Sequence, residues 1–259
     1  MPDISLTMLI VLCLAAGAAG WIDAVVGGGG LLLLPALLLG LPHVPAAHIL
    51  GTNKAVAIVG TSGAAVTYVR KAPVKVRTAL RIGLAALAGS MTGAFFAAGI
   101  SSAVLRPVIL VVLLGVAAFV MFKPAFGTQA GGQVVTRART VTAIVLVGGG
   151  IGLYDGLFGP GTGTFLVLAL TAVLHLDLVT ASATAKIVNV CTNVGALAMF
   201  AYQGSVMWQL AAIMAVFNLA GGLIGARMAL RKGSEFVRGV LLVVVFSLVA
   251  KLAFDQWGG

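Results

Sequence analysis

Two lysines, Lys54 and Lys186, stand inside long apolar runs, in the contexts Thr52-Asn53-Lys54 and Thr184-Ala185-Lys186. An ammonium group there is costly if the run lies in lipid. Such a residue marks an ion or substrate pathway, pairs with an acid, or snorkels to an interface. Two aspartates, Asp23 and Asp155, each precede a glycine cluster: Gly27-Gly28-Gly29-Gly30 and Gly159-Pro160-Gly161-Thr162-Gly163. The chemistry within reach of this set is recognition of an anion by two ammonium groups. Thr52, Asn53, Thr184, Asn189 and Asn193 would complete its hydrogen bonds. Backbone amides near Gly29 and Gly161, at the start of half-helices, would add partial positive charge. The glycine clusters read equally as close packing and a chain bend. Asp23 and Asp155 fit three roles: a cap for the next segment, a partner for a lysine, or the carrier of a coupling proton.

Ser182, Lys186, Asn189 and Asn193 follow spacings of 4, 3 and 4, which place them on one helical face. A polar stripe in lipid turns inward, toward protein or a water-filled path. The matching helix has Lys54 and Thr61 but Ala57 opposite Asn189, so unequal roles are expected for the two lysines. No Ser/His/Asp ordering, H-E-x-x-H pattern or paired-carboxylate arrangement stands out, so the chain does not read as an enzyme. Neither glycine cluster ends in the Gly-Lys-Ser/Thr of a phosphate loop, and no cofactor or metal is expected. Cys13 and Cys191 read as small apolar residues. His43 and His175 lie at expected loop ends, with His48 nearby, and read as interfacial anchors or pH-sensing groups.

The elements that must hold these residues follow from composition. Of 259 residues 61% are hydrophobic, mean hydropathy is +1.16, and charge is confined to 16 Lys/Arg and 6 Asp/Glu. A soluble domain carries about a quarter charged residues, so a water-soluble enzyme is excluded. Apolar stretches run over 5–26, 29–42, 46–69, 79–99, 104–122, 140–158, 162–176, 179–202, 206–226 and 237–256. The 29–42 and 162–176 stretches are short for a crossing, which takes about 20 residues. The N-terminus lacks the basic region of a cleaved signal peptide, so 5–26 is expected to be a retained span.

The halves repeat at a constant offset of 132 residues. Asp23 meets Asp155, Gly27 meets Gly159, His43 meets His175, Thr52 meets Thr184 and Lys54 meets Lys186. Gly89-x-x-x-Gly93 meets Gly221-x-x-x-Gly225, two motifs that permit close helix contact within the chain or between subunits. Residues 1–122 and 140–259 are read as the two transmembrane repeats and 123–139 as a cytoplasmic linker. Twelve of the 16 cations fall in three places: Arg70–Arg81, Lys123–Arg139 and Arg227–Arg238. Basic residues in short loops mark the cytoplasmic side. All three clusters share that side if there are ten crossings, five per half. Five is odd, so the repeats would be inverted and both termini periplasmic or extracellular. The expected fold is an all-α polytopic membrane protein, about ten helices in two inverted five-helix repeats, with short or broken helices after the glycine-rich motifs. Inverted repeats with paired, glycine-interrupted segments are a common plan of secondary transporters.

Trp21-Ile22-Asp23-Ala24-Val25-Val26-Gly27-Gly28-Gly29-Gly30, His48-Ile49-Leu50-Gly51-Thr52-Asn53-Lys54 and the repeat copy Ser182-Ala183-Thr184-Ala185-Lys186 resemble the sulfite exporter TauE/SafE family of bacterial transporters. The resemblance covers nearly the whole chain. It implies a bacterial inner-membrane carrier of small sulfur-containing anions, such as sulfite, sulfonates or sulfoacetate, often directed outward. The second copy departs from the first, with Ala185 for Asn53 and Pro160 for Gly28. The expected partners are a small anion, the bilayer and a proton or ion gradient, with a homodimer left open and no nucleic acid. The rivals are an anion channel and a membrane enzyme or accessory subunit.

Overall fold

A chain this apolar can leave no backbone group unpaired in lipid, and helices satisfy that demand within each segment. The computed structural model describes residues 4–122 and 136–257, with backbone alone at 113, 114, 116–122, 234, 238 and 241–257. The helices are α1 (Leu6–Val26), α2 (Gly29–Gly40), α3 (Ala46–Val69), α4 (Val76–Gly99), α5 (Ser102–Phe122), α6 (Arg137–Leu157), α7 (Thr162–Leu174), α8 (Leu178–Tyr202) and α9 (Trp208–Trp257). Helix α6 is π-helical over Ala143–Gly150, and α9 is broken at Gly233, where φ is 75°. There is no strand among the described residues. Six segments are long and apolar enough to cross a membrane: α1, α3, α4, α6, α8 and Trp208–Gly233 of α9. The chain is a polytopic helical membrane protein. Helix α6 begins at Arg137, inside the expected linker. The remainder of that linker, 123–135, lies outside the described residues.

The two short elements have a physical explanation. Helix α2 has 12 residues and α7 has 13. At 1.5 Å per residue they reach about 18–20 Å, well short of a hydrocarbon core of about 30 Å. Each is the return arm of a hairpin. Helix α1 stops at Gly27, left-handed with φ 79°, whose N–H donates to the Asp23 carbonyl at 2.8 Å. Helix α2 then runs back along α1. A Cβ on Gly29 would lie 2.6 Å from the Ala19 carbonyl oxygen, and one on Gly40 2.9 Å from Met8 Sδ. Helix α6 is capped by Phe158 (φ −128°), with the left-handed Gly159 (φ 87°) next in the chain, and α7 returns along it.

The tightest packing joins the halves. Helix α1 lies on α9, and α4 lies on α6. Both contacts are glycine-lined. A Cβ at Gly225 would sit 2.6 Å from the Trp21 carbonyl oxygen, and one at Gly89 2.5 Å from that of Gly149. Gly221 meets the Gly17 carbonyl, and Gly93 meets that of Leu153. The two glycine motifs are therefore consumed inside the chain. Because Gly17 faces Gly221 and Trp21 faces Gly225, α1 and α9 run in the same direction; by Gly89–Gly149 and Gly93–Leu153, so do α4 and α6.

Helices α3 and α8 fill the middle. Two apolar clusters flank them, one including Leu34, Ile49, Phe200 and Leu210, the other Tyr68, Ile82, Leu166 and Val188. Arg106 on α5 secures the end of the first hairpin, donating to the carbonyls of Leu38 and Leu41 at 3.3 Å each and to that of Val44. Arg106→Ala leaves those carbonyls without their charged donor. It should cost about 1.5–3 kcal/mol, read as a lower thermal midpoint in detergent. An unchanged midpoint would mean that other contacts hold the turn.

Candidate functional site

The two lysines come together at the centre of the bundle, each paired with the aspartate of the other half. Lys54 Nζ on α3 lies 2.6 Å from Asp155 Oδ1 on α6. Lys186 Nζ on α8 lies 2.9 Å from Asp23 Oδ2 on α1. Lysine snorkelling does not occur: Lys54 is 2% exposed and Lys186 0%. Both positions follow from local structure. Each lysine is the ninth residue of its helix, and each aspartate sits in the last turn before a glycine break. The breaks bring the hairpin tips into contact. Thr164 N–H donates to the Gly27 carbonyl at 3.1 Å, and the Thr164 hydroxyl donates to the Val26 carbonyl at 2.9 Å. Gly27 and Gly163 touch backbone to backbone, a contact that any Cβ would block.

The two pairs differ. The Asp23 carboxylate also accepts the Thr61 hydroxyl at 3.0 Å, and Lys186 donates additionally to the Asp23 backbone carbonyl. Among the described residues the Lys54–Asp155 pair has no such support. Asp155 Oδ2 is buried with no hydrogen-bond partner among the described residues, and so is Asn53 Oδ1. A buried acceptor without a donor loses its hydration uncompensated.

A cavity of about 30 Å³ lies beside this looser pair, room for about two water molecules. Its walls include Lys54, Asp155, Asn53, Asn189, Asn193 and Asn218. Gly29 and Gly30 of α2 and Thr162 and Gly163 of α7 also line it, so the first turns of both half-helices open on it. First-turn amides have no acceptor within their own helix and carry the positive end of the helix dipole. A Cβ on Gly159, another lining residue, would stand 3.3 Å from Lys54 Nζ. Glycine at that position leaves the ammonium its space.

The sequence-derived residues divide accordingly. Gly29, Asn53, Lys54, Asn189 and Asn193 line the cavity, as do Asp23 and Asp155. Thr52, Thr184, Gly161 and Lys186 do not. The Thr52 hydroxyl accepts the Met207 N–H at 3.0 Å, and the Thr184 hydroxyl donates to Thr180 at 2.8 Å in its own helix. Gly161 adopts φ 73° as the residue before α7. The stripe Ser182, Lys186, Asn189 and Asn193 is wholly buried. His43 is exposed in a turn, His175 caps α7 in a left-handed conformation, and His48 lies on α3 with Nδ1 buried. No cluster of His, Cys, Asp or Glu among the described residues has the makeup of a metal site.

The family model for the sulfite exporter TauE/SafE matches residues 12–252. The chain belongs to this family. It is 32% identical over 256 residues to a probable membrane transporter protein, ORF9, of Sinorhizobium, covering 98% of this chain and 96% of that one. It is also 32% identical over 254 residues to a probable membrane transporter protein of Haemophilus influenzae, covering 98% of each chain. A third relative, the probable membrane transporter protein YfcA of Escherichia coli K12, is 32% identical over 259 residues, covering 98% of this chain and 93% of that one. No solved structure matches. The matched span takes in both ion pairs and both hairpin tips, so the site lies wholly within the part of the chain that the family model covers.

Sequence reading passed over Asn218, which lines the cavity and donates to the Ala16 carbonyl at 2.8 Å. Its repeat counterpart is Ala86, so a search for matched polar residues misses it. Arg106 was passed over too, although the offset of 132 pairs it with Arg238.

Proposed function

We propose that this protein is a secondary carrier for a small sulfur-containing anion, of the sulfite, sulfonate or sulfoacetate type, working by alternating access in the bacterial inner membrane as an exporter. The observation that carries this reading is the central cavity. It brings together the Lys54 ammonium, the carboxylates of Asp155 and Asp23, each already paired with a lysine, four asparagine amides contributed by both halves and the N-terminal turns of two half-helices. Amide and helix-terminal N–H groups suit the oxygens of a sulfite or sulfonate. The cavity, which in this state has room for about two water molecules, must widen to admit the anion; Lys54 then binds it, with Asn53, Asn189, Asn193 and the amides near Gly29 completing its shell. Lys186, Thr184, Thr52 and Gly161 hold the surrounding frame in this state.

In this reading the halves are inverted repeats of five passes each, 1–122 and 140–259, joined by a cytoplasmic linker, with both termini periplasmic. The support is reciprocal. Asp23 and Lys54 sit 132 residues before Asp155 and Lys186, and each lysine reaches the aspartate of the other half. The glycine contacts of α1 with α9 repeat at the same offset in those of α6 with α4. Along the path of the first half α1 and α4 run oppositely. Since α6 runs with α4, it opposes its counterpart α1. The tips meeting at Gly27 and Gly163 then lie near the membrane midplane, where carriers of this plan bind substrate.

Thermal unfolding of the purified protein tests the substrate class. Sulfite, methanesulfonate and sulfoacetate should raise the midpoint in a concentration-dependent way, as a ligand of the folded state must. Acetate at equal ionic strength should not. Equal stabilisation by all four would refute selection of sulfur oxyanions.

A further inference from the structure

We infer that Asp155 is the proton carrier of this site: an anion engages Lys54 only when a proton has settled on Asp155, so that one proton and one anion move together. The inference rests on reading the cavity as the anion site, and names the ion that moves with the anion; net export then runs down an outward anion gradient, against the inward proton gradient.

The argument is one of charge and geometry. The buried centre holds two ammonium groups and two carboxylates in contact, with no net charge. Lys54 is already neutralised by Asp155 at 2.6 Å. An anion entering beside an ionised Asp155 would place two negative groups on one ammonium in a largely enclosed site, which favours loss of one charge by protonation. Uptake of a proton from water by Asp155 Oδ2 removes the conflict. No bond other than O–H forms, Lys54 remains an ammonium and turns to the anion, and release of the anion returns the proton to water. Asp155 Oδ2 is also an oxygen left without a donor among the described residues, and Asn53, whose Oδ1 is unpartnered too, lines the same cavity. A carboxyl proton turns one of these two acceptors into a donor.

Asp23 does not fit the same role. Its carboxylate is held by Thr61 as well as Lys186, and Lys186 keeps the Asp23 backbone carbonyl as a second acceptor. Protonating Asp23 would free no lysine toward the cavity, whose walls exclude Lys186. The groups surrounding Asp155 are few. Lys54 faces it from α3, Asp23 of α1, paired with Lys186 of α8, lines the same cavity, and Tyr154 on α6 donates its hydroxyl to the Pro160 carbonyl. Helices α2 and α7 carry no titratable side chain, and the arginines of α4 stand in its first two turns, at Arg77 and Arg81.

The test uses the full chain in liposomes with an internal pH dye, the membrane voltage clamped, and methanesulfonate as probe because its own charge does not change near neutral pH. A methanesulfonate gradient should drive protons in the direction of the anion, one for one, and flux should rise as pH falls. Asp155→Asn should lose the proton movement and the pH dependence while methanesulfonate still raises its thermal midpoint. Asp23→Asn should keep the pH dependence despite lower stability. Methanesulfonate movement without protons in the wild type, sodium dependence in place of proton dependence, or wild-type proton movement in Asp155→Asn would each overturn the inference. Absence of methanesulfonate-induced stabilisation in the wild type would instead overturn the anion reading beneath it.

Discussion

Replacing Lys54 with methionine should abolish anion flux and destabilise the folded protein by about 3–5 kcal/mol, the usual cost of leaving one member of a buried ion pair alone. Asp155, at 2% exposure with no ammonium beside it, would have to hold an unpaired charge or take up a proton. The loss of flux by itself would be ambiguous, because a poorly folded carrier also carries nothing. The double variant Lys54→Met/Asp155→Asn separates the two effects. Removing both charges of a buried pair is close to neutral when the replacements fill the same space. The double variant should therefore recover most of the thermal stability and none of the flux. Recovery of both would mean that the pair is scaffolding and that the anion is bound elsewhere. The same pair of substitutions at Lys186 and Asp23 should be harsher on stability. There the lysine also ties down the Asp23 backbone carbonyl at the end of α1, and Thr61 loses its charged acceptor.

Gly27→Ala is expected to be the most damaging single methyl in the protein. Gly27 has φ 79°, where an L-residue costs about 1–2 kcal/mol, and its new Cβ would overlap the Gly163 backbone, adding an overpacking cost of about 1–3 kcal/mol. Relief requires the two hairpin tips to part, which would cut the Thr164-to-Gly27 and Thr164-to-Val26 hydrogen bonds and open the cavity. A drop of about 2–5 kcal/mol should appear as a large loss of thermal midpoint and of monodisperse protein. Gly28→Ala is the internal control. Gly28 has φ −96°, and its Cβ would meet side chains rather than backbone: Ile22 at 3.3 Å, and Leu31 and Thr164 at 3.6 Å each. The equivalent position in the second half already carries Pro160. That variant should stay within about 1 kcal/mol of the wild type. Equal damage from both would mean that the tip-to-tip contact does not matter.

The four charged residues of the centre were legible in the sequence, because Lys54, Lys186, Asp23 and Asp155 are rare residue types in apolar runs and recur at one offset. Their pairing with each other was among the roles open to the aspartates. What the sequence left undetermined was which aspartate each lysine reaches, since that depends on how α1 and α6 pack across the halves. The short lengths of α2 and α7 were visible as well, and the glycine clusters marked their starts. Their return along α1 and α6 came from the left-handed turns at Gly27 and Gly159. The inequality of the lysines was expected from the richer polar stripe of the second half. In the structure Lys54, from the poorer stripe, lines the cavity, and so do Asn189 and Asn193 of the richer stripe on α8. The π-helical stretch at Ala143–Gly150 had no signal, since its counterpart in α1 is equally apolar and remains α-helical. Asn218 escaped because its counterpart is an alanine, and a pattern built on matched pairs is blind to a polar residue present in one half alone.

The most direct test is counterflow in proteoliposomes. Labelled sulfite outside should enter faster when unlabelled sulfite is trapped inside, with saturable kinetics, and the Lys54→Met/Asp155→Asn protein, folded and reconstituted to the same density, should show none of this acceleration. Uptake that does not saturate and is indifferent to internal sulfite, or counterflow undiminished in the double variant, would contradict the assignment of the central cavity as the anion site of a carrier.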